Sequence, residues 1–251
     1  MNGENATRIQ LCGKLKVELG GRRIEDLLPS RQGRVAFAFL ALNRLRPVRR
    51  DELADILWAD QVPTSANVAL RALLSKLRTA LGEDLLRGKS ELSLALGPDA
   101  WVDYEAAHEA IHRADAHIAR EEWHEAWWPT RIAHNIAQRE FLPGAECEWV
   151  QQRRAALDDL RLRTHEAIAK VGLGIGGSEL ISAKRSARAI IDESPYHESG
   201  YCLLMRVLMA MGDVPEAILV YERLRRTLRD ELGTSPGPTA QALHRELIGT
   251  A

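Results

Sequence analysis

The sequence predicts a mainly helical chain in two parts: a small α+β module over residues 1–102, then an all-α array of paired helices over residues 103–251. Three observations predict it. Short alternating runs with tight-turn glycines, the mark of strands and hairpins, occur only before about Asp103. After that point the apolar residues recur at helical spacing, interrupted by Gly and Pro at intervals that suit helix pairs. The charge balance changes sign at the same place. Residues 1–102 hold 16 Lys and Arg against 12 Asp and Glu, a net of +4, and residues 103–251 hold 18 against 23, a net of −5.

The 251 residues are 45% hydrophobic and 27% charged, enough for one large or two ordinary cores in a globular protein. No apolar run reaches the length of a membrane span. The start, MNGENATRIQL, has neither a basic nor an apolar leader region, so a cytoplasmic location is expected. Cys12, Cys147 and Cys202 are odd in number and far apart. They predict reduced thiols, with no disulfide frame and no metal cluster.

In chain order, RIQLCGKLKVEL, Gly20-Gly21 and RRIEDL read as a small sheet with a tight turn. Ser30 after Pro29 suits the N-cap of a buried helix through RQGRVAFAFLALNR. Pro47 ends that segment, and Leu53, Ile56 and Leu57 mark a second helix over 51–58. A third helix runs from near Ser65 to Gly82 on the stripe Leu70, Leu73, Leu74, Leu77 and Leu81. DLLRGKSELSLAL then reads as a hairpin turning at Gly88-Lys89-Ser90. Strands, three helices and a closing hairpin are the order of a winged helix-turn-helix of the OmpR type. There the third helix enters the major groove and the hairpin touches the neighbouring backbone.

That order singles out side chains. Arg71 and Arg78 can offer a planar fork to guanine or phosphate, and Asn67 and Ser75 share their face of the third helix. These four are the expected base contacts. Lys76, Thr79, Arg87 and Lys89 are the expected phosphate contacts. The alternative for the same residues is a solvated polar face on an ordinary amphipathic helix.

From Asp103 the breaks fall near Pro143-Gly144, Gly172 to Gly177, Pro195, Gly212-Asp213 and Gly233 to Pro238. This predicts stacked helix pairs like degenerate tetratricopeptide repeats, without a strict period of about 34 residues. Two chemical motifs are weighed and set aside. His108-Glu109-Ala110-Ile111-His112 fits H-E-x-x-H but lacks a third ligand, so no zinc site is expected. Gly172, Gly174 and Gly177, with Asp192 beyond, fit G-x-G-x-x-G, but a helix precedes them where a dinucleotide site needs a strand; a flexible turn is expected there. Trp123, Trp127 and Trp128 are read as inter-helix packing or a partner surface, and Tyr196, Tyr201 and Tyr221 as core. No enzyme activity and no cofactor are expected.

RPVRRDELADILW (46–58) and ALRALLSKLRTALG (69–82) resemble the second and recognition helices of antibiotic regulatory proteins of the SARP type. EWVQQRRAALDDLRLRTHEAIA (148–169) and the segment 194–247, with its ELG-x-x-P-x-P ending, are similar to the bacterial transcriptional activator domain. The middle, WHEAWWPTRIAHNIAQ and VGLGIGGSEL, departs from the family. The resemblance implies a transcriptional activator. Its N-terminal module would bind double-stranded promoter DNA at tandem repeats; its helical module would arrange protomers on DNA and contact RNA polymerase. No nucleotide-binding segment precedes Ala251, so no NTP hydrolysis is expected. The rival reading is a repeat-type interaction protein whose winged helix contacts protein.

Overall fold

The structure, a computed structural model, describes residues 7–58, 65–82, 84–97 and 99–249. They form two compact units. One runs up to Ala107 and includes Ile136–Asp158; the other comprises His108–Asn135 and the residues from Asp159 onward.

In the first unit, β1 (Arg8–Gln10), β2 (Lys16–Leu19) and β3 (Arg22–Arg23) form an antiparallel meander. Its last turn is Gly20-Gly21, both at positive φ, where a side chain would be strained. A 3-10 turn follows at Glu25–Leu27. Helix α1 (Ser30–Leu42) buries a continuous run from Val35 to Ala41. The cap position is taken by Pro29, which has no side-chain cap bond, and not by Ser30 as expected; Ser30 is the first residue of α1, at φ +55, and its hydroxyl accepts a long bond, 3.4 Å, from the Gly33 N–H. After β4 (Val48–Arg49) and α2 (Arg50–Trp58) come α3 (Ala66–Leu81), β5 (Leu86–Arg87) and β6 (Glu91–Leu94). Strand β7 (Trp101–Val102) then returns parallel to β1. The sheet orders are β3-β2-β1-β7 and β4-β6-β5. Ile9 sits between Val17 and Val102, and all three are buried.

The rest of the first unit's core comes from far along the sequence. Phe141 bridges to Cys12 by a backbone pair and meets Tyr104 edge-on at 5.4 Å. Trp149 meets Phe39 at 5.3 Å and Phe141 at 5.5 Å. Arg154 donates to the carbonyls of Phe141, Leu142 and Ala145, which closes the loop around Pro143-Gly144.

The helical elements are α4 (Asp103–Ile118), α5 (Trp123–Ala137), α6 (Glu148–Ile175), α7 (Glu179–Glu193), α8 (Glu198–Ala210), α9 (Val214–Leu232) and α10 (Pro238–Gly249). In the second unit α8 packs against α7, α9 and α10 around Ile190, Tyr201, Met205, Leu208, Tyr221, Leu224, Leu228 and Leu243. Asp213 caps α9, accepting from the Glu216 N–H at 3.3 Å, and Gly233 ends it in the left-handed conformation. A repeat emerges in the packing: Ala183, Ser186 and Ile190 of α7 are buried, as are Tyr221, Leu224 and Leu228 of α9, each 38 residues later. The fold is therefore mainly α, a winged helix-turn-helix followed by helical repeats.

Two further expectations change. Helix α6 continues through Gly172 and Gly174, and the turn comes at Gly176-Gly177. A Cβ on Gly174 would lie 2.3–2.6 Å from the Trp123 indole, and one on Gly172 2.8 Å from the Glu179 carbonyl oxygen, so these glycines admit neighbours. Two of the three glycines of G-x-G-x-x-G are thus helical packing positions. Tyr196 lies at the surface, its hydroxyl donating to Glu231, whereas Tyr201 and Tyr221 are core.

Candidate nucleic-acid interface

Helix α3 buries Leu70, Leu73, Leu74, Leu77 and Leu81. At about 100° per residue, these cover an arc of roughly 100°, and Asn67, Arg71, Ser75 and Arg78 fall in the adjoining arc of roughly 80°. Asn67, Arg71 and Ser75 are exposed, and Arg78 is half-buried. The structure therefore brings the four expected base-contact candidates onto one strip beside the core seam. Lys76 lies on the other side of the exposed surface, and Thr79 near its crest. The Thr79 hydroxyl donates to the Ser75 carbonyl at 3.2 Å.

The hairpin is fastened to this helix by Arg78. Its Nε donates to the Leu86 carbonyl at 3.3 Å and its Nη2 to the Gly88 carbonyl at 2.7 Å. Two of the five N–H donors of the guanidinium are thus committed to the wing. Gly88 makes the tip, at φ +92, where a Cβ would fall 1.8 Å from the Glu91 carbonyl oxygen. Arg87 and Lys89 are both exposed at the tip, and Arg87 Nε donates to the Asp84 carbonyl at 2.8 Å.

Two features escaped the sequence reading. Arg50, at the start of α2, reaches the wing: its backbone N–H donates to the Ser90 carbonyl at 3.2 Å and its Nη1 to the Lys89 carbonyl at 3.4 Å. It adds a cation beside Lys89 that only the β4–β6 pairing places there. Val68 stands 63% exposed on the crest of α3, with exposed Ala72 one turn on. The signal was in the sequence, since Val68 sits one residue from Asn67 and off the leucine stripe. An apolar crest between polar flanks suits contact with a thymine methyl.

His108 and His112 lie on α4, half-buried and exposed respectively. Among the described residues no group of three or more His, Cys, Asp or Glu is placed to hold a metal ion. No helix among them is long and apolar enough to cross a membrane.

The chain matches the bacterial transcriptional activator domain over residues 102–248. It is 26% identical to the transcriptional regulatory protein EmbR of Mycobacterium tuberculosis, over 95% of this chain and 62% of that protein. It is 30% identical to the regulatory protein AfsR of Streptomyces coelicolor, over 97% of this chain and 24% of that protein. The chain thus spans less than two thirds of the length of these relatives. A solved structure of Mycobacterium tuberculosis EmbR in complex with a low-affinity phosphopeptide shares the fold, with a TM-score of 0.81 at 22% identity over 97% of this chain and 65% of that one. With a winged helix at one end and the activator domain filling most of the remainder, the chain belongs to the bacterial transcriptional activator domain family, and the relatives it resembles are regulatory proteins.

Proposed function

We propose that this regulator binds double-stranded promoter DNA through α3 and the β5–β6 hairpin and activates transcription by recruiting RNA polymerase. The observation that carries the reading is the clamp of Arg78 on Leu86 and Gly88, which fixes recognition helix and wing as one rigid surface with cations at both ends. Arg71, Ser75 and Asn67 read base edges, and Arg78 adds to that strip while holding the wing. Lys76, Thr79, Arg87, Lys89 and Arg50 set the register on phosphates. Residues 1–102 supply the DNA-reading surface, and residues 103–251 hold protomers together on tandem sites and contact the polymerase. The protein has no catalytic role in this scheme and acts in the cytoplasm, where the DNA is.

Selection of bound genomic fragments, followed by gel-shift titration at two salt concentrations, tests the reading. Arg71→Ala is expected to cost ~1–3 kcal/mol on the selected site and to relax preference at one base pair. Lys89→Ala is expected to weaken all sequences alike and flatten the salt dependence. A two-repeat site should be bound cooperatively, and cooperativity should vanish when one repeat is shifted by half a helical turn, about 5 bp. Unchanged affinity in folded Arg71→Ala, or no sequence preference at all, refutes the assignment.

A further inference from the structure

We propose that the exposed face shared by α5, α7 and α9 of the second unit docks an acidic amphipathic helix of a partner protein. This inference stands apart from the DNA-binding reading and uses none of its residues.

The three helices present a large apolar side chain at one equivalent position. Trp128 precedes buried Thr130 by two residues, Ile181 precedes buried Ala183 by two, and Leu219 precedes buried Tyr221 by two. They are 64%, 61% and 68% exposed. One exposed apolar residue is ordinary on a protein surface. Three at equivalent places in successive helix pairs make an oblique row, because the ion pairs Arg188–Glu216 and Arg223–Asp192 set Leu219 level with the Arg188 end of α7 and not with Ile181. The helices are joined side by side: Arg131 of α5 donates to Glu179 and Ser182 of α7, and Lys184 and Arg188 of α7 hold Glu216 of α9.

Cations follow these apolar side chains along α7 and α9 at a repeated spacing. Ile181, Arg185, Arg188 and Asp192 lie along one strip of α7. Leu219, Arg223, Arg226 and Asp230 lie along the same strip of α9, each 38 residues later. Arg223 approaches Asp192 at 3.9 Å, and Glu222 is paired with Arg225. The two strips carry four Arg against two Asp, a local net of +2, on a part of the chain whose overall balance is negative. An open cleft of about 420 Å³ runs along α7, lined by Ile181, Lys184, Arg185, Arg188, Ala189 and Asp192.

Charge and shape select the occupant. An apolar row calls for apolar anchors on the partner. The arginines beside it call for carboxylates next to those anchors, because opposed potentials give specificity at a rim. An amphipathic helix with Leu at i, i+3, i+4 and i+7 and Glu beside them meets both demands. A nucleic acid would set phosphates against Asp192 and Asp230 and leave the apolar row unused.

The test uses the full chain and fluorescein-labelled synthetic helices of that design, read by fluorescence anisotropy. Controls carry Lys for Glu, or Ser for Leu. Saturable binding of the acidic helix is expected, with both controls at least about tenfold weaker. Arg185→Glu with Arg226→Glu, neither in the ion pairs named above, should weaken the acidic helix about tenfold or more and improve the Lys-flanked one. Ile181→Ser with Leu219→Ser should weaken both. Circular dichroism must show unchanged helix content in each variant. Where the first pair perturbs the fold, Arg185→Gln with Arg226→Gln replaces it, with a smaller loss in the same direction. The proposal is overturned by the absence of saturable binding, by equal binding of Glu- and Lys-flanked helices, or by indifference to the Arg substitutions. It is also overturned if duplex DNA competes the peptide off this face. Sedimentation supplies the last outcome: if Ile181→Ser with Leu219→Ser dissociates a peptide-free dimer, a second copy of the chain covers the face and the proposal fails.

Discussion

Asp103 is the residue whose removal has the most calculable cost. It is fully buried at the first position of α4, and its carboxylate accepts three backbone N–H groups: Leu11 at 2.7 Å, Tyr104 at 2.8 Å and Cys12 at 3.1 Å. Two of these come from the chain just past β1, so one side chain at the start of a helix pins the end of a strand. In Asp103→Ala, the Leu11 and Cys12 N–H groups lose their acceptor inside the core, at ~1–3 kcal/mol each, and the Tyr104 N–H loses the same carboxylate. Against this, the native carboxylate is costly to bury: burial pushes its pKa above the usual range in spite of the three donors. Relief of that cost leaves a net loss of ~2–4 kcal/mol, a large share of the 5–15 kcal/mol typical of a domain. Asp103→Asn keeps Oδ1 for Leu11 and Tyr104 but turns an NH2 toward the Cys12 N–H, for ~1–2 kcal/mol. Urea unfolding followed by far-UV circular dichroism measures both, with the slope checked for constancy. An Asp103→Ala midpoint within ~0.5 kcal/mol of the parent, or an Asn variant less stable than the Ala one, would show that these bonds do not organise the strand end.

Arg78→Ala should cost more than Arg71→Ala in DNA binding, because it also releases the wing; hydrogen exchange at the hairpin amides should rise in the Arg78 variant alone. Gly174→Ala should lower stability by ~1–3 kcal/mol through its collision with Trp123. In a Trp123→Ala background the same change should turn neutral or stabilising, by up to ~1 kcal/mol of helix propensity. His134 is pulled down to about 4 by burial first, then by His165, whose ring stands edge-on at 4.8 Å, and by Arg131. The unfolded chain takes up this proton near 6.5 and the folded chain only near 4, so protonation favours unfolding. The His134 contribution is whole above pH 6.5 and declines as pH falls from there to about 4. A His134→Gln variant should show a flatter acid limb in thermal unfolding; an unchanged limb refutes the assignment.

The elements legible in the sequence are those whose signal is local. Five leucines at i, i+3, i+4, i+7 and i+11 define α3 and leave its polar strip in plain view. Gly20-Gly21 and Gly88 mark hairpin turns because only glycine occupies those backbone positions comfortably. The obscure elements depend on partners far along the chain. Strands β4 and β7 are two residues each, too short to alternate, and exist because β6 and β1 pair with them. Gly172 and Gly174 look like breakers until Ala183 and Trp123 are seen to press against them. Arg78 reads as another groove-facing cation, and only the fold shows its two bonds to the wing. The repeat of α7 and α9 is hard to see because its buried positions change residue, Ala183 to Tyr221 and Ser186 to Leu224, and only the exposed Arg185, Arg188 and Asp192 recur as Arg223, Arg226 and Asp230.

The same distinction bears on how the chain can be divided. Strand signals and net positive charge both stop near residue 102, so sequence alone places a boundary there. Packing in the first unit extends to Tyr104, Phe141 and Trp149, which close over Cys12 and Phe39. A fragment ending at residue 102 would lose the Asp103 carboxylate from Leu11 and Cys12 and the Trp149 ring from Phe39. Exposing that much aromatic surface and orphaning two buried N–H groups each carries a cost of kcal/mol order. DNA reading by residues 1–102 is therefore a proposal about which side chains touch the duplex. Its support comes from a helical segment that returns to the first unit after some thirty residues spent in the second, and substitutions in the full chain are the way to test it.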